Sequence, residues 1–286
     1  MRTYDVMMIA VASGKGGTGK TTAAVGLAQV APGRTRLLDC DVEAPNCHLF
    51  LKPDWVEAKK VGIPVPQVDA AKCTACGECG QFCQFNAIVS FKTEPLVFPE
   101  LCHGCGGCAK ICPEGAIREV ERPIGVVERG ECPGVELVQG RLNVGEPLAP
   151  PLVRAVKAYG GGNGVTIVDS PPGTSCTMIE ALRGCDYVVM VTEPTPFGLR
   201  DLKLAVGGAR VLQIPYGVIV NRIGIGDERI HEYCRAHRIP LLLEIADDRH
   251  IAEGYSRGET IIETVPAMRA TFEDLLHRVE SGGHNG

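Results

Sequence analysis

Three sets of residues in this 286-residue chain have types and spacings suited to chemistry. The first is Ser13-Gly14-Lys15-Gly16-Gly17-Thr18-Gly19-Lys20-Thr21, which from Gly14 to Thr21 fits the phosphate-binding pattern G-x-x-x-x-G-K-[ST]. Glycines let backbone N–H groups close around phosphate oxygens, and the N-terminus of a following helix favours an anion. In such a loop Lys20 reaches the β- and γ-phosphates and the Thr21 hydroxyl takes Mg²⁺. The residues expected to hold nucleotide are Gly14, Gly16, Gly17, Thr18, Gly19, Lys20, Thr21 and Thr22.

The second set is carboxylates. Asp39 and Asp41 follow the apolar pair Leu37-Leu38, and Asp169 follows Val165-Thr166-Ile167-Val168 and precedes Ser170-Pro171-Pro172-Gly173. At a phosphate mouth, carboxylates hold Mg²⁺ through water or orient an attacking water. Asp39 and Asp169 are the expected Mg²⁺ residues beside Thr21, with a polar strand end capped by Asp as the plainer alternative.

The third set is cysteine. Of fourteen, eight form two runs: Cys73, Cys76, Cys79 and Cys83 recur 29 residues later as Cys102, Cys105, Cys108 and Cys112. Ala87-Ile88 recurs at the same offset as Ala116-Ile117. Each run is C-x2-C-x2-C-x3-C, the two-cluster ferredoxin pattern, in which the fourth Cys of each run ligates the other cluster. Cys73, Cys76, Cys79 and Cys112 are therefore expected to hold one [4Fe–4S] cluster, and Cys102, Cys105, Cys108 and Cys83 the other. Four-cysteine zinc sites or a disulfide knot remain the alternatives; zinc usually takes two separated C-x-x-C pairs. The second run ends in Pro113, where the first has Gln84.

Strands and helices must position these groups. Val6–Val11 reads as a buried strand before the loop, and 22–30 (with Ala23, Ala24, Leu27 and Ala28) as the helix after it. Gly62–Pro66 looks like a boundary, and Leu137–Pro151 is Gly/Pro-rich and reads as irregular. Further apolar runs at Tyr187–Thr192, Gly217–Arg222 and Ile239–Ile245 read as strands, with a closing helix at Arg269–Glu280 and a frayed tail from Ser281. The expected fold is α/β: a mostly parallel, doubly wound phosphate-loop sheet with an inserted α+β two-cluster ferredoxin domain. Its segments are 1–66, the insert 67–120, and 121–286. In such sheets ligands gather at strand C-termini, where Asn221 is placed to read a base edge.

The net charge of −5 argues against a general nucleic-acid binder. No apolar run reaches the length of a membrane span, and the N-terminus has no signal-peptide core, so the expectation is a cytoplasmic protein. The closing helix sets Glu273, Asp274 and Glu280 against His277, Arg269 and Arg278, a poor balance for an anionic membrane.

Taken together, Gly14–Thr21, Asp39-Cys40-Asp41, Asp169–Gly173 and Glu193-Pro194-Thr195-Pro196-Phe197-Gly198 resemble the deviant Walker-A ATPases of the MinD/ParA/Mrp and nitrogenase-iron-protein superfamily. The chain most resembles members that carry an inserted two-cluster ferredoxin domain, some labelled after cobyrinic acid a,c-diamide synthase. The resemblance implies that Lys15 crosses a dimer interface to the partner's nucleotide, that Asp41 positions the attacking water and that Asn221 contacts adenine. It also implies an ATP-dependent homodimer with switches at Asp39–Asn46 and Asp169–Ser175. Asp247, preceded by Ala246 rather than the family's Pro, lies in the adenine-side loop. Cys176 stands at the D-x6-C spacing from Asp169 that serves a bridging cluster in the nitrogenase iron protein; a small packing residue is the alternative. Cys132, Cys185 and Cys234 read as packing residues, and the sequence assigns Cys40 and Cys47 no role.

The implied activity is hydrolysis of MgATP coupled to electron transfer through two [4Fe–4S] clusters, with a redox partner. The alternatives are an Mrp-type cluster carrier feeding an Fe–S acceptor protein, although the C-terminal C-x-x-C of such carriers is absent, and a redox-sensing positioning ATPase of the ParA/MinD type.

Overall fold

The computed structural model describes residues 7–91, 94–162 and 164–283. In chain order the strands are β1 (Met7–Ala12), β2 (Thr35–Asp39), β3 (Asp54–Val68), β4 (Ile88–Val89), β5 (Leu96–Val97), β6 (Ile117–Cys132), β7 (Val135–Leu142), β8 (Val165–Asp169), β9 (Tyr187–Thr192), β10 (Tyr216–Ile223) and β11 (Leu241–Ala246). The helices are α1 (Lys20–Val30), α2 (Cys47–Leu51), α3 (Glu78–Phe82), α4 (Gly107–Ile111), α5 (Pro150–Lys157), α6 (Cys176–Leu182), α7 (Pro196–Val211), α8 (Arg229–Ala236), α9 (Arg249–Ser256), α10 (Ile261–Thr264) and α11 (Met268–Gly283).

The chain divides into two compact units. One comprises Met1–Ala58, Val127–Arg141 and Leu152–Gly286; the other comprises Lys59–Val126 and Leu142–Pro151. The second unit extends beyond 67–120 at both ends.

In the first unit the sheet runs β11-β10-β9-β1-β8-β2-β7, and the six pairings along that order are all parallel. Strand β1 has β8 and β2 on one side and β9, β10 and β11 on the other, so the order reverses at β1. In an open parallel sheet that reversal opens a crevice at the strand C-termini. The register places the acidic residues there: Asp169 lies opposite Val11 on one side and opposite Asp39 on the other.

The core follows from composition. Helix α1 buries Ala23, Ala24, Val25, Leu27 and Ala28 against β1, β2 and β8. Helix α11 adds Phe272, Leu275, Leu276 and Val279, an i, i+3, i+4, i+7 face in the same apolar cluster. Val6 and residues 284–286 lie outside the described residues. The expected tail at Ser281 instead begins as helix, since α11 continues to Gly283.

One expectation fails on β-structure. Residues 137–142 are not irregular but form most of β7, paired to β2 from Thr35↔Val135 to Asp39↔Gln139. From Val135 to Gly140 the strand is buried on both faces, so it lacks the alternation that marks a half-exposed strand. Gly62–Pro66 lies within β3, a few residues past the division between the two units at Ala58 and Lys59. This strand ends the sheet order, and an edge position tolerates Pro64 and Pro66 because no neighbour needs their missing N–H groups. Among the described residues no helix is long and apolar enough to cross a membrane.

Candidate functional site

The glycine-rich loop leaves β1 and enters α1 through Gly19, whose φ of 92° is left-handed. A Cβ at Gly19 would lie 2.3 Å from the amide nitrogen of Asn221, so a larger residue there is strained in its backbone and displaces the Asn221 side chain. The loop is braced from three sides. Asn221 donates its amide to the Thr18 carbonyl at 2.9 Å. Ser13 donates its hydroxyl to the Lys15 carbonyl at 2.8 Å. Gly173, in the loop after β8, donates its N–H to the Ser13 carbonyl at 3.0 Å, tying the loop to the segment beyond Asp169.

Beside this loop opens a cavity of about 320 Å³. Gly16, Gly17, Gly19, Lys20, Thr21, Thr22, Asp41 and Asn221 line it, as do Asp247, Asp248, Ile251 and Tyr255. The site residues Gly14, Lys15, Thr18, Asp39 and Asp169 do not line it. Asn221 is already engaged at both ends of its amide, because its carbonyl oxygen accepts the Arg222 N–H at 3.0 Å.

Behind the cavity sits a charged network. Asp169, fully buried, accepts Lys20 Nζ at 2.6 Å and the Thr21 hydroxyl at 2.8 Å. Asp39, also fully buried, accepts three backbone N–H groups, from Asp41, Asn46 and Cys47, at 3.1, 2.9 and 3.0 Å. Those bonds shape the chain from Asp39 to Asn46. Two carboxylates facing each other across the sheet cannot both shed water cheaply. Burial, with the Asp169 charge added, pushes the Asp39 carboxyl upward. Burial also raises Asp41 to about 6 against the pull of Lys20. For Lys20, burial pulls downward but the charge and hydrogen bond of Asp169 outweigh it, so the ammonium is held charged.

Lys15 lies away from this network. Its ammonium pairs with Glu193 at the end of β9, and Arg222 Nη1 approaches the same carboxylate at 3.5 Å.

The second unit carries the cysteine runs, and its geometry repeats with the sequence. Helices α3 and α4 occupy equivalent places 29 residues apart. The left-handed residues repeat too: Ala75, Gly77 and Asn86 (φ 55°, 88° and 52°) correspond to Gly104, Gly106 and Gly115 (67°, 70° and 57°). Cys79, Ile88 and Ile117 form its small core, with Cys83, Cys108 and Cys112 packed against it. Cys73, Cys76, Cys79 and Cys112 line one cavity. Cys83, Cys102, Cys105 and Cys108 line another, of about 460 Å³, together with Gln84, Phe82, Phe85 and His103. Backbone N–H groups reach sulfur at Gly104 to Cys102 (3.4 Å) and Ala116 to Cys112 (3.3 Å). Around Cys83, burial pushes the thiol up, but the N–H groups of Phe85, Ile88, Ala87 and Asn86 outweigh it and hold it below the usual range.

A family model described as the CobQ/CobB/MinD/ParA nucleotide binding domain matches residues 9–261. The chain belongs to this family. Across nearly its full length it is 32% identical to an uncharacterized protein of Methanocaldococcus jannaschii, over 281 residues and 96% of each chain. It is 27% identical to an iron-sulfur cluster carrier protein of Methanococcus maripaludis, covering 76% of this chain and 60% of that one. Among solved structures, the septum site-determining protein MinD of Pyrococcus horikoshii, complexed with Mg-ADP, superposes with a TM-score of 0.58 at 19% identity, covering 96% of both chains. That likeness gives the CobQ/CobB/MinD/ParA fold, a mostly parallel α/β phosphate-loop sheet.

Within this nucleotide-binding family fold, several residues of the site carried no signal of their own in the sequence. Cys47 donates its thiol to Asp169 at 3.5 Å and is fully buried. Ile251 and Tyr255 reach the cavity from α9, and no motif marks them. Cys176 is exposed at the start of α6, while Cys40, Cys185 and Cys234 are buried and Cys132 is half-buried.

Proposed function

We propose that this chain is an iron–sulfur ATPase that hydrolyses MgATP as a homodimer and couples its nucleotide state to electron transfer through two [4Fe–4S] clusters. The observation that carries the cluster half is the crossed lining of the two cavities. Each set of three cysteines from one run is joined by the fourth cysteine of the other, the division that two-cluster ligation requires. The thiolate donor set suits iron–sulfur chemistry. A tetrahedral zinc ion at about 2.3 Å from each sulfur would draw its ligands close together. Among the described residues the grouped metal-ligating side chains within 4.8 Å of one another are Asp39, Cys47 and Asp169, and none of the cysteine sets.

The nucleotide half rests on the family and on the cavity. In this reading the Gly14–Thr22 loop takes the phosphates, and Lys20 exchanges Asp169 for the β- and γ-phosphate oxygens. Thr21, Asp39 and Asp169 supply the oxygen donors for Mg²⁺, which when bound neutralises charge on those phosphates. Asp41 lines the cavity and orients the attacking water; its raised pKa lets it share a proton more readily than an ordinary aspartate. Asn221 exchanges its present partners for adenine. Lys15 leaves Glu193 to reach the nucleotide of a second copy, as in deviant Walker-A loops. The electron acceptor is a redox protein that docks on the second unit.

A second reading, an Fe–S cluster carrier, is favoured by the relatives named for that role. One experiment separates the two. Anaerobically purified protein is incubated with MgATP and an apo-ferredoxin acceptor and then re-isolated. Two full clusters give about eight irons per chain at the start. Iron that stays, beside an acceptor that remains empty, supports fixed wiring. ATP-dependent loss of about half the iron to the acceptor makes the chain a carrier.

A further inference from the structure

Cys47 sits at the start of α2 with no exposed surface, outside the cavity lining. It touches both buried carboxylates. Its backbone N–H donates to Asp39 Oδ2 at 3.0 Å, and its thiol donates to Asp169 Oδ2 at 3.5 Å. Asp39, Cys47 and Asp169 bring their ligand atoms within 4.8 Å of one another.

The other side-chain partners of Asp169 are Lys20 and Thr21. Those are the two groups that a phosphate-loop nucleotide and its cation recruit. When both leave, the Cys47 thiol is the one that remains of the side-chain donors Asp169 now has. A buried charge stripped of partners is costly and turns to recover them. The thiol does not line the cavity, so a nucleotide seated there has no contact by which to draw it away.

We infer that Cys47 is a positioning residue: its thiol keeps Asp169 aimed at the cation after nucleotide has drawn Lys20 and Thr21 away. The inference rests on the MgATP reading above. Its own consequence is narrower. Removing the donor weakens the grip on the divalent cation without touching the phosphate contacts, and serine, which keeps a donor, preserves it.

The test uses the holoprotein in its oxidised state with a non-hydrolysable ATP analogue. Free Mn²⁺ is read from its six-line EPR signal at ambient temperature, and analogue affinity is measured separately in EDTA. Cys47→Ala is expected to weaken Mn²⁺ binding about five-fold, the loss of one ordinary hydrogen bond, with analogue affinity in EDTA unchanged. Cys47→Ser is expected to bind Mn²⁺ like the wild type. Should the alanine variant fail to fold, Cys47→Val, which fills the space without a donor, takes its place. Equal Mn²⁺ affinity in the wild type and the donor-free variant overturns the inference. So does a serine variant as weak as the donor-free one, which makes Cys47 a packing residue. A wild type that binds no analogue at all overturns the nucleotide reading and this inference with it.

Discussion

Lys15 and Glu193, 178 positions apart, form an ion pair between the phosphate loop and the end of β9. The carboxylate is nearly buried, with 9% of its side chain exposed, and Arg222 stands on its other side. An ammonium held this way cannot reach a second molecule. If Lys15 serves the nucleotide of a partner copy, Glu193 is what it must leave. Glu193→Gln removes the charge that holds it, so ATP-dependent dimers are expected at lower protein concentration than for the wild type, measured by sedimentation velocity. Lys15→Ala is expected to bind ATP normally and to lose hydrolysis by about 100-fold, the scale of one transition-state charge contact. Dimerisation of Glu193→Gln at the wild-type concentration would show that the pair restrains nothing.

Asp169 supports a different prediction because it competes with phosphate. In this conformation it holds both Lys20 and Thr21. Asp169→Asn frees the lysine from a buried partner and weakens the cation site together. ATP binding in EDTA is therefore expected to tighten, while Mg²⁺-dependent turnover falls by about 100-fold. Nucleotide fluorescence titrations with and without EDTA read the two effects separately. Weaker binding in EDTA would mean that Asp169 supports the loop rather than competing for its lysine.

These relationships show which parts of the molecule the sequence makes legible. The phosphate loop, the aspartates at the ends of β2 and β8, and the cysteine runs are contiguous patterns, and their function depends on spacing within one turn or one loop. The left-handed backbone positions at 75, 77 and 86 follow the cysteine repeat for the same reason. Strand β7 was hidden because a strand buried on both faces has no alternation, and its neighbourhood is rich in Gly and Pro. The proline-bearing stretch of β3 was hidden because edge pairing is a property of the sheet, not of the segment. Glu193 facing Lys15 and Cys47 facing Asp169 depend on contacts between distant segments, which no local pattern encodes.

The paired aspartates give the ligand-free protein a distinctive pH dependence. Burial raises Asp39, and burial raises Asp41 to about 6, both above an ordinary aspartate at about 3.9. A carboxyl with a higher pKa folded than unfolded binds more protons in the folded state between those values. Its contribution is therefore largest at low pH and is lost as pH rises through the folded pKa. Between about pH 4 and pH 6 the urea midpoint of the wild type is expected to fall relative to that of an Asp39→Asn, Asp41→Asn variant, with little further change above about pH 7. Saturating MgATP gives the carboxylates a cationic partner and is expected to flatten the difference. A difference curve that is already flat without ligand would mean that neither carboxyl titrates in this range.

The crossed cysteine sets lead to the sharpest test of the second unit. Cys76 and Cys112 line one cavity although they come from different runs, while Cys76 and Cys83 belong to one run but line different cavities. If each cavity holds one cluster, Cys76→Ala and Cys112→Ala damage the same centre. Each single variant should fall from about eight irons to about four, and the double variant should stay at about four. Cys76→Ala with Cys83→Ala removes a ligand from both centres and should approach zero. Ligation within each run predicts the reverse, with Cys76 and Cys83 redundant and Cys76 and Cys112 additive. Iron analysis of the two double variants, with low-temperature EPR of the reduced proteins to count the remaining centres, decides between the two wirings.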